Sequence, residues 1–192
     1  ELWDPAGQRL TVFIDPGRIK QGLLPNSEVG PVFVEGQDYT LEISGEWKDA
    51  AGIGLRSPFR KNFKVSGADH ESPRPAAWKL SAPPAGSLEP LELDFGAPLD
   101  HALLHRLLWV EDEKGRRVEG KISVHGGERR WSLIPQQEWS PGSYQLRIRS
   151  TLEDLAGNGI DKPFEVDLFE QVRSRVDSKV LSREFTVSSS PR

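Results

Sequence analysis

Tyr144-Gln-Leu146-Arg-Ile148 repeats the pattern of Tyr39-Thr-Leu41-Glu-Ile43, which stands 105 positions earlier in the chain. Ten residues past each tyrosine comes an aspartate (Asp49, Asp154), and three further on a glycine preceded by alanine (Ala51-Gly52, Ala156-Gly157). A Pro-Phe step follows in both, Pro58-Phe59 and Pro163-Phe164, again 105 positions apart. So many coincidences in one register mark a duplication. Each tyrosine segment alternates apolar and polar residues, the period of a half-buried strand, and is entered through a glycine turn, Gly36 or Gly142. The chain therefore carries the same strand-turn unit twice.

Upstream the match continues in weaker form. Val12 and Ile14 precede Pro16 as Trp131 and Leu133 precede Pro135, but Tyr39 lies 23 residues after its proline and Tyr144 only nine after its own. The first copy thus has a longer loop around residues 17–36. Ahead of its shared part the second copy has further short strands, at Trp78–Leu80, Leu91–Phe95, Leu107–Glu111 and Val118–Val124. A sandwich of this kind takes about seven strands and about 100 residues. Residues 1–66 accordingly read as the C-terminal half of a module, with the rest removed, disordered or replaced by another segment. Residues 67–75, dense in breakers, read as a linker, and 76–188 as a complete module. Phe63-Lys-Val65 is matched by Phe185-Thr-Val187 only after an insertion of 17 residues, placed at about 167–183. It is expected to form an extra hairpin, or else a short amphipathic turn over the sheet edge. Residues 189–192 are a polar tail.

Composition agrees with an all-β chain. Fifteen Pro and 18 Gly among 192 residues are too many for long helices. Six Trp and eight Phe suffice for a sandwich core. The net charge is −4, and the densest basic clusters, Arg116-Arg117 and Arg129-Arg130, each adjoin an acidic residue or turn, so no nucleic-acid partner is expected. No apolar stretch reaches membrane-spanning length. The absence of Cys removes disulfides, thiolate metal sites and a cysteine nucleophile. Without Met, residue 1 is expected to be a trimmed or mature start, with any signal peptide already gone.

These residues carry a family resemblance. Phe95-Gly-Ala-Pro98-Leu99-Asp100 is followed by Leu108-Trp-Val-Glu-Asp-Glu-Lys-Gly115, then by Trp131-Ser-Leu133-Ile-Pro135. Gly142-Ser-Tyr144-Gln-Leu146 and Asp154-Leu-Ala156-Gly157-Asn158 complete the order. The chain resembles the bacterial Ig-like domains of S-layer and other surface or secreted proteins, over residues 73–187 and in half-module form over 8–65. The first copy departs from the last motif, with Ile53 in place of the asparagine. The resemblance implies an immunoglobulin-like β-sandwich in tandem, with a spacer, structural or adhesive role in a larger protein outside the cytoplasm. It implies no enzymatic chemistry and no cofactor. The alternative is a carbohydrate-binding appendage of an extracellular enzyme, with polysaccharide or cell-wall material as partner.

Four features invite a site. Asp154, Asn158 and Asp161 offer hard oxygens to Ca²⁺, but such a site needs six or more ligands. The favoured role is a structural turn, because the first copy keeps Asp49 and Gly52 without the asparagine. His101 and His105 have the spacing of zinc-peptidase ligands, yet Ala102 stands where those enzymes carry a catalytic Glu. A short helix with Leu103, Leu104 and Leu107 turned inward is expected instead. Glu111-Asp112-Glu113 and Glu153-Asp154 lie beside turns, unlike carboxylates paired across a glycosidase cleft. Flat aromatic rings stack on sugars, and Trp109 and Trp139 are the candidates, Trp139 being expected to be exposed. Trp131 is assigned to the core, and Trp47, the counterpart of Leu152, to packing.

Overall fold

The computed structural model describes residues 9–12, 14, 28, 30–49, 51–161 and 179–189. Backbone contacts divide the chain into two compact units, Glu1–Asp69 and His70–Arg192. The fold is all-β, with three antiparallel sheets.

Unit 1 holds β1 (Asp38–Ile43) and β2 (Phe59–Lys64), paired antiparallel with Tyr39 opposite Phe63 and Ile43 opposite Phe59. Unit 2 holds β3 (Lys79–Ser81), β4 (Leu91–Asp94), β5 (Leu108–Asp112) and β6 (Gly120–His125). It continues with β7 (Arg130–Pro135), β8 (Gly142–Arg149) and β9 (Val180–Val187). A four-stranded sheet runs β3-β4-β7-β6 and a three-stranded one β5-β8-β9.

The second unit follows from its alternation. Tyr144, Leu146 and Ile148 of β8 are buried, while Gln145 and Arg147 point the other way. Leu91 and Leu93 of β4 and Trp131 and Leu133 of β7 likewise turn inward. These inner faces meet in one core, sandwich-like, that also takes Val110 of β5 and Phe185 and Val187 of β9. Each fully buried side chain of this size contributes roughly 1.5–3 kcal/mol. Between β4 and β5 sits α1 (His101–Leu104), capped by Asp100, whose carboxylate accepts the Leu103 amide at 2.8 Å. Leu104 is fully buried and its carbonyl accepts the Trp131 indole N–H at 3.2 Å. The core thereby closes over the end left open by the crossing from one sheet to the other.

The two tyrosine hairpins match in detail. Tyr39 stacks on Phe63 with ring centres 5.9 Å apart, and Tyr144 on Phe185 at 5.6 Å. The Tyr39 hydroxyl accepts the Val34 amide at 3.0 Å, while the Tyr144 hydroxyl donates to the Ser140 carbonyl at 3.1 Å. Burial, however, differs. Every described residue of the apolar core belongs to unit 2, and no described residue of unit 1 is fully buried.

Pairing corrects the placement of the insertion. Phe63 corresponds to Phe185, and Phe59 corresponds to Leu181, so residues 180–183 are strand. The extra length of the second copy lies before β9. Residues 167–178 of the hairpin expected at about 167–183 lie outside the described residues, as do Pro163-Phe164, Trp3 and residues 190–192. Val12 and Ile14, expected in a strand, are not in one.

The unequal burial sets an expected outcome. Leu146→Ala should cost about 2–5 kcal/mol of unfolding free energy. Leu41→Ala, at the matching position of unit 1, should cost well under half of that. Denaturant titration of both variants checks the contrast, and equal costs would contradict it.

Candidate functional site

Three loops of the chain are built alike. In Asp49-Ala-Ala-Gly-Ile, Asp112-Glu-Lys-Gly-Arg and Asp154-Leu-Ala-Gly-Asn, one carboxylate oxygen accepts two amides of its own loop. Asp49 takes Ala51 and Ile53 at 2.9 and 2.8 Å, and Asp112 takes Lys114 and Arg116, both at 2.9 Å. Asp154 takes Ala156 and Asn158, both at 2.8 Å. In each loop the glycine amide returns to the aspartate carbonyl. The glycines adopt φ of 83°, 74° and 88°, a region costly for any residue with a side chain. Asp112 shows the electrostatic consequence. Its carboxyl is held below the usual range, first by the Arg116 amide and next by the Arg116 side chain.

Two of the three candidate calcium ligands, Asp154 and Asn158, are therefore engaged within the turn itself. The second carboxylate oxygen of Asp154 accepts the side-chain amide of Asn158 at 3.0 Å, and Asn158 is fully buried. Asp161 is exposed. Among the described residues no group of three or more His, Asp or Glu side chains is gathered as a metal would require. The sequence carried a signal for the third loop, an Asp-x-x-Gly at 112–115, that the 105-residue register passed over.

His101 and His105 lie at the two ends of α1 with ring centres 5.0 Å apart, edge to face. His101 Nδ1 is 3.4 Å from a Glu128 carboxylate oxygen. Partial burial, and then the neighbouring His101, lower the pKa of His105. Leu103 and Leu107 pack against the core around the buried Leu104. The helix is thus an inward-facing plug with a polar outer side.

The two candidate tryptophans do not form a platform. Trp139, expected at the surface, is 2% exposed and is corrected to a core residue. Its ring packs edge-on against Tyr144 at 5.2 Å, and its N–H donates to the Glu89 carbonyl at 2.9 Å. Although the Ser140-Pro141-Gly142 turn follows it directly, the ring lies buried beside Tyr144 at the start of β8. Trp109 faces the other way, on the outer face of β5. Its indole N–H donates to Glu111 at 2.7 Å, and the Arg149 guanidinium lies 5.8 Å from its ring centre. Glu111 also pairs with Arg147 at 3.2 Å. That face is a polar mesh with a single half-buried ring in it. Trp131 is fully buried, as expected, whereas Trp47 is 49% exposed and not packed as its counterpart Leu152 is.

One open groove, of about 630 Å³, lies on unit 1 and is lined by Leu41, Ile43, Trp47, Leu55 and Phe59 with Leu10 and Val12. No helix among the described residues is long and apolar enough to cross a membrane.

Asp154→Ala should destabilise unit 2 by about 1–3 kcal/mol, since it strands two amides and a buried asparagine. Asp154→Asn, which keeps an acceptor, should cost less. Melting followed with calcium and with chelator should give one midpoint for the native chain. A midpoint raised by calcium would contradict the turn assignment. Comparison of the chain with protein-family models, curated proteins and solved structures gave no match.

Proposed function

We propose that the chain is a non-catalytic structural or spacer module of the immunoglobulin-like class, part of a larger bacterial surface or secreted protein. The observation that carries this reading is the strand order of unit 2. Lettered A to G along the chain, β3 to β9 form one sheet A-B-E-D and another C-F-G, the constant-type immunoglobulin arrangement. The Tyr144 hydroxyl bonded to the backbone four residues upstream, near the start of strand F, has the form of that fold's tyrosine corner. The sequence repeat supports the tandem reading, in which β1 and β2 are the counterparts of F and G. Fold class alone assigns no activity. The spacer role is supported by how the side chains of the candidate sites are engaged. Asp154 and Asn158 close a turn, Trp139 fills the core, and Trp109 is engaged by Glu111 and Arg149.

Sedimentation of the purified chain with insoluble polysaccharides and cell-wall material tests the role directly. With calcium or with chelator, the chain should stay in the supernatant, and Trp109→Ala should behave identically. Saturable retention on one glycan, lost in Trp109→Ala, would overturn the spacer reading in favour of a carbohydrate-binding appendage.

A further inference from the structure

Among the described residues of unit 1, the apolar face of β1 is left partly uncovered. Leu146, Ile148 and Leu152 are all at most 1% exposed, while their counterparts Leu41 and Ile43 are only half-buried and Trp47 is 49% exposed. Phe59, opposite Ile43 on β2, is 51% exposed, and Val12, which also lines the groove, is 55% exposed. An apolar surface of this kind on a two-stranded hairpin is costly, and a lone hairpin is marginal in water.

The second copy shows what belongs there. In unit 2 the same face shares one buried core with Leu91 and Leu93 of β4, in the other sheet, and with Leu108 and Val110 of β5, beside it in its own sheet, all supplied by sequence ahead of β7. By the repeat, Val12 holds the sequence position of Trp131 and lines the same groove as Leu41 and Ile43, so strands set beside it and beside β1, as β4 lies beside β7 and β5 beside β8, would cover that groove.

We propose that this groove is the docking surface for a polypeptide segment of the kind formed by β3 to β6. That segment is the front half of an immunoglobulin-like module, with alternating leucine-class residues turned inward. Its C-type strand pairs with the edge of β1 that β2 leaves open, as β5 pairs with β8. The proposal rests on the immunoglobulin-like reading of unit 2. Chemistry favours it over a small ligand, since Leu41 and Ile43 lie at strand spacing and most of the lining is apolar, with Arg56, Ser57 and Lys61 as its polar members.

The probe is the chain's own front half, residues 76–127, first fused ahead of residues 8–192 and then added as a separate polypeptide to the unaltered chain. Trp47 is the reporter, read as the difference in emission between each protein and its Trp47→Phe variant. The fusion should shift Trp47 emission to the blue, and should slow amide exchange in β1 by on the order of tenfold or more. The separate polypeptide should give the same shift saturably. A fragment carrying Leu91→Lys and Leu93→Lys should do neither. Unchanged Trp47 emission in both formats, with the near-ultraviolet signal of the buried Trp131 and Trp139 intact, would overturn the docking proposal while leaving the reading of unit 2 standing. Self-association of the unaltered chain that already shields Trp47 would overturn it in favour of a second copy as the occupant.

Discussion

Burial of one face of a Tyr-x-Leu-x-Ile strand is the constraint from which the rest follows. In β8 the face is covered by a second sheet, and three side chains lose nearly all contact with water. A strand can satisfy its backbone with two neighbours, here β5 and β9, but its inward residues need a facing layer. The four-stranded sheet supplies that layer. α1 closes the open end, and the tyrosine and aspartate turns fix where the chain leaves the strand. The same sequence pattern in β1 has the pairing partner β2, but its described neighbours leave the face half in solvent. One local pattern thus gives two packing outcomes, and the difference lies in what the surrounding chain contributes.

The turns show how local chemistry supports this arrangement. An aspartate that accepts two amides of its own loop satisfies donors that would otherwise need water. The loop is therefore indifferent to the burial of its surroundings. It forms beside the covered Leu152 in unit 2 and beside the exposed Trp47 in unit 1. Asn158 adds a buried rung that Ile53, 67% exposed, cannot provide. Loss of the asparagine in the first copy is coherent with the loss of cover there.

Much of this was legible in the residues because period-two alternation and Asp-x-x-Gly turns are local signals. Strands read at 91–95, 107–111, 131–135 and 144–148 fall on β4, β5, β7 and β8 within a residue or two at each end, the last two on alternation. The aspartate turn could be preferred over calcium because one copy lacks the asparagine. What was not legible depended on tertiary context. Trp139 sits beside a Ser-Pro-Gly turn, a surface signature, yet the ring is drawn inward by Tyr144 and Phe185. Trp47 shares a repeat position with a buried leucine and is exposed because the opposing layer, not the position, decides burial. The insertion was misplaced because Pro163-Phe164 copies Pro58-Phe59 in sequence, whereas the ladder matches Phe59 with Leu181. A repeat in sequence and a register in space need not coincide when one copy is lengthened.

Residue-resolved amide hydrogen exchange of the full chain tests the central claim most directly, by comparing β1 with β8 under one set of conditions. Strands of identical pattern but unequal cover should differ, with Leu146 and Ile148 opening only in the global unfolding of unit 2 and Leu41 and Ile43 exchanging orders of magnitude faster. Equal protection in the two strands would contradict the account, since it would mean that pairing and turn chemistry alone, without a facing sheet, hold the strand in place.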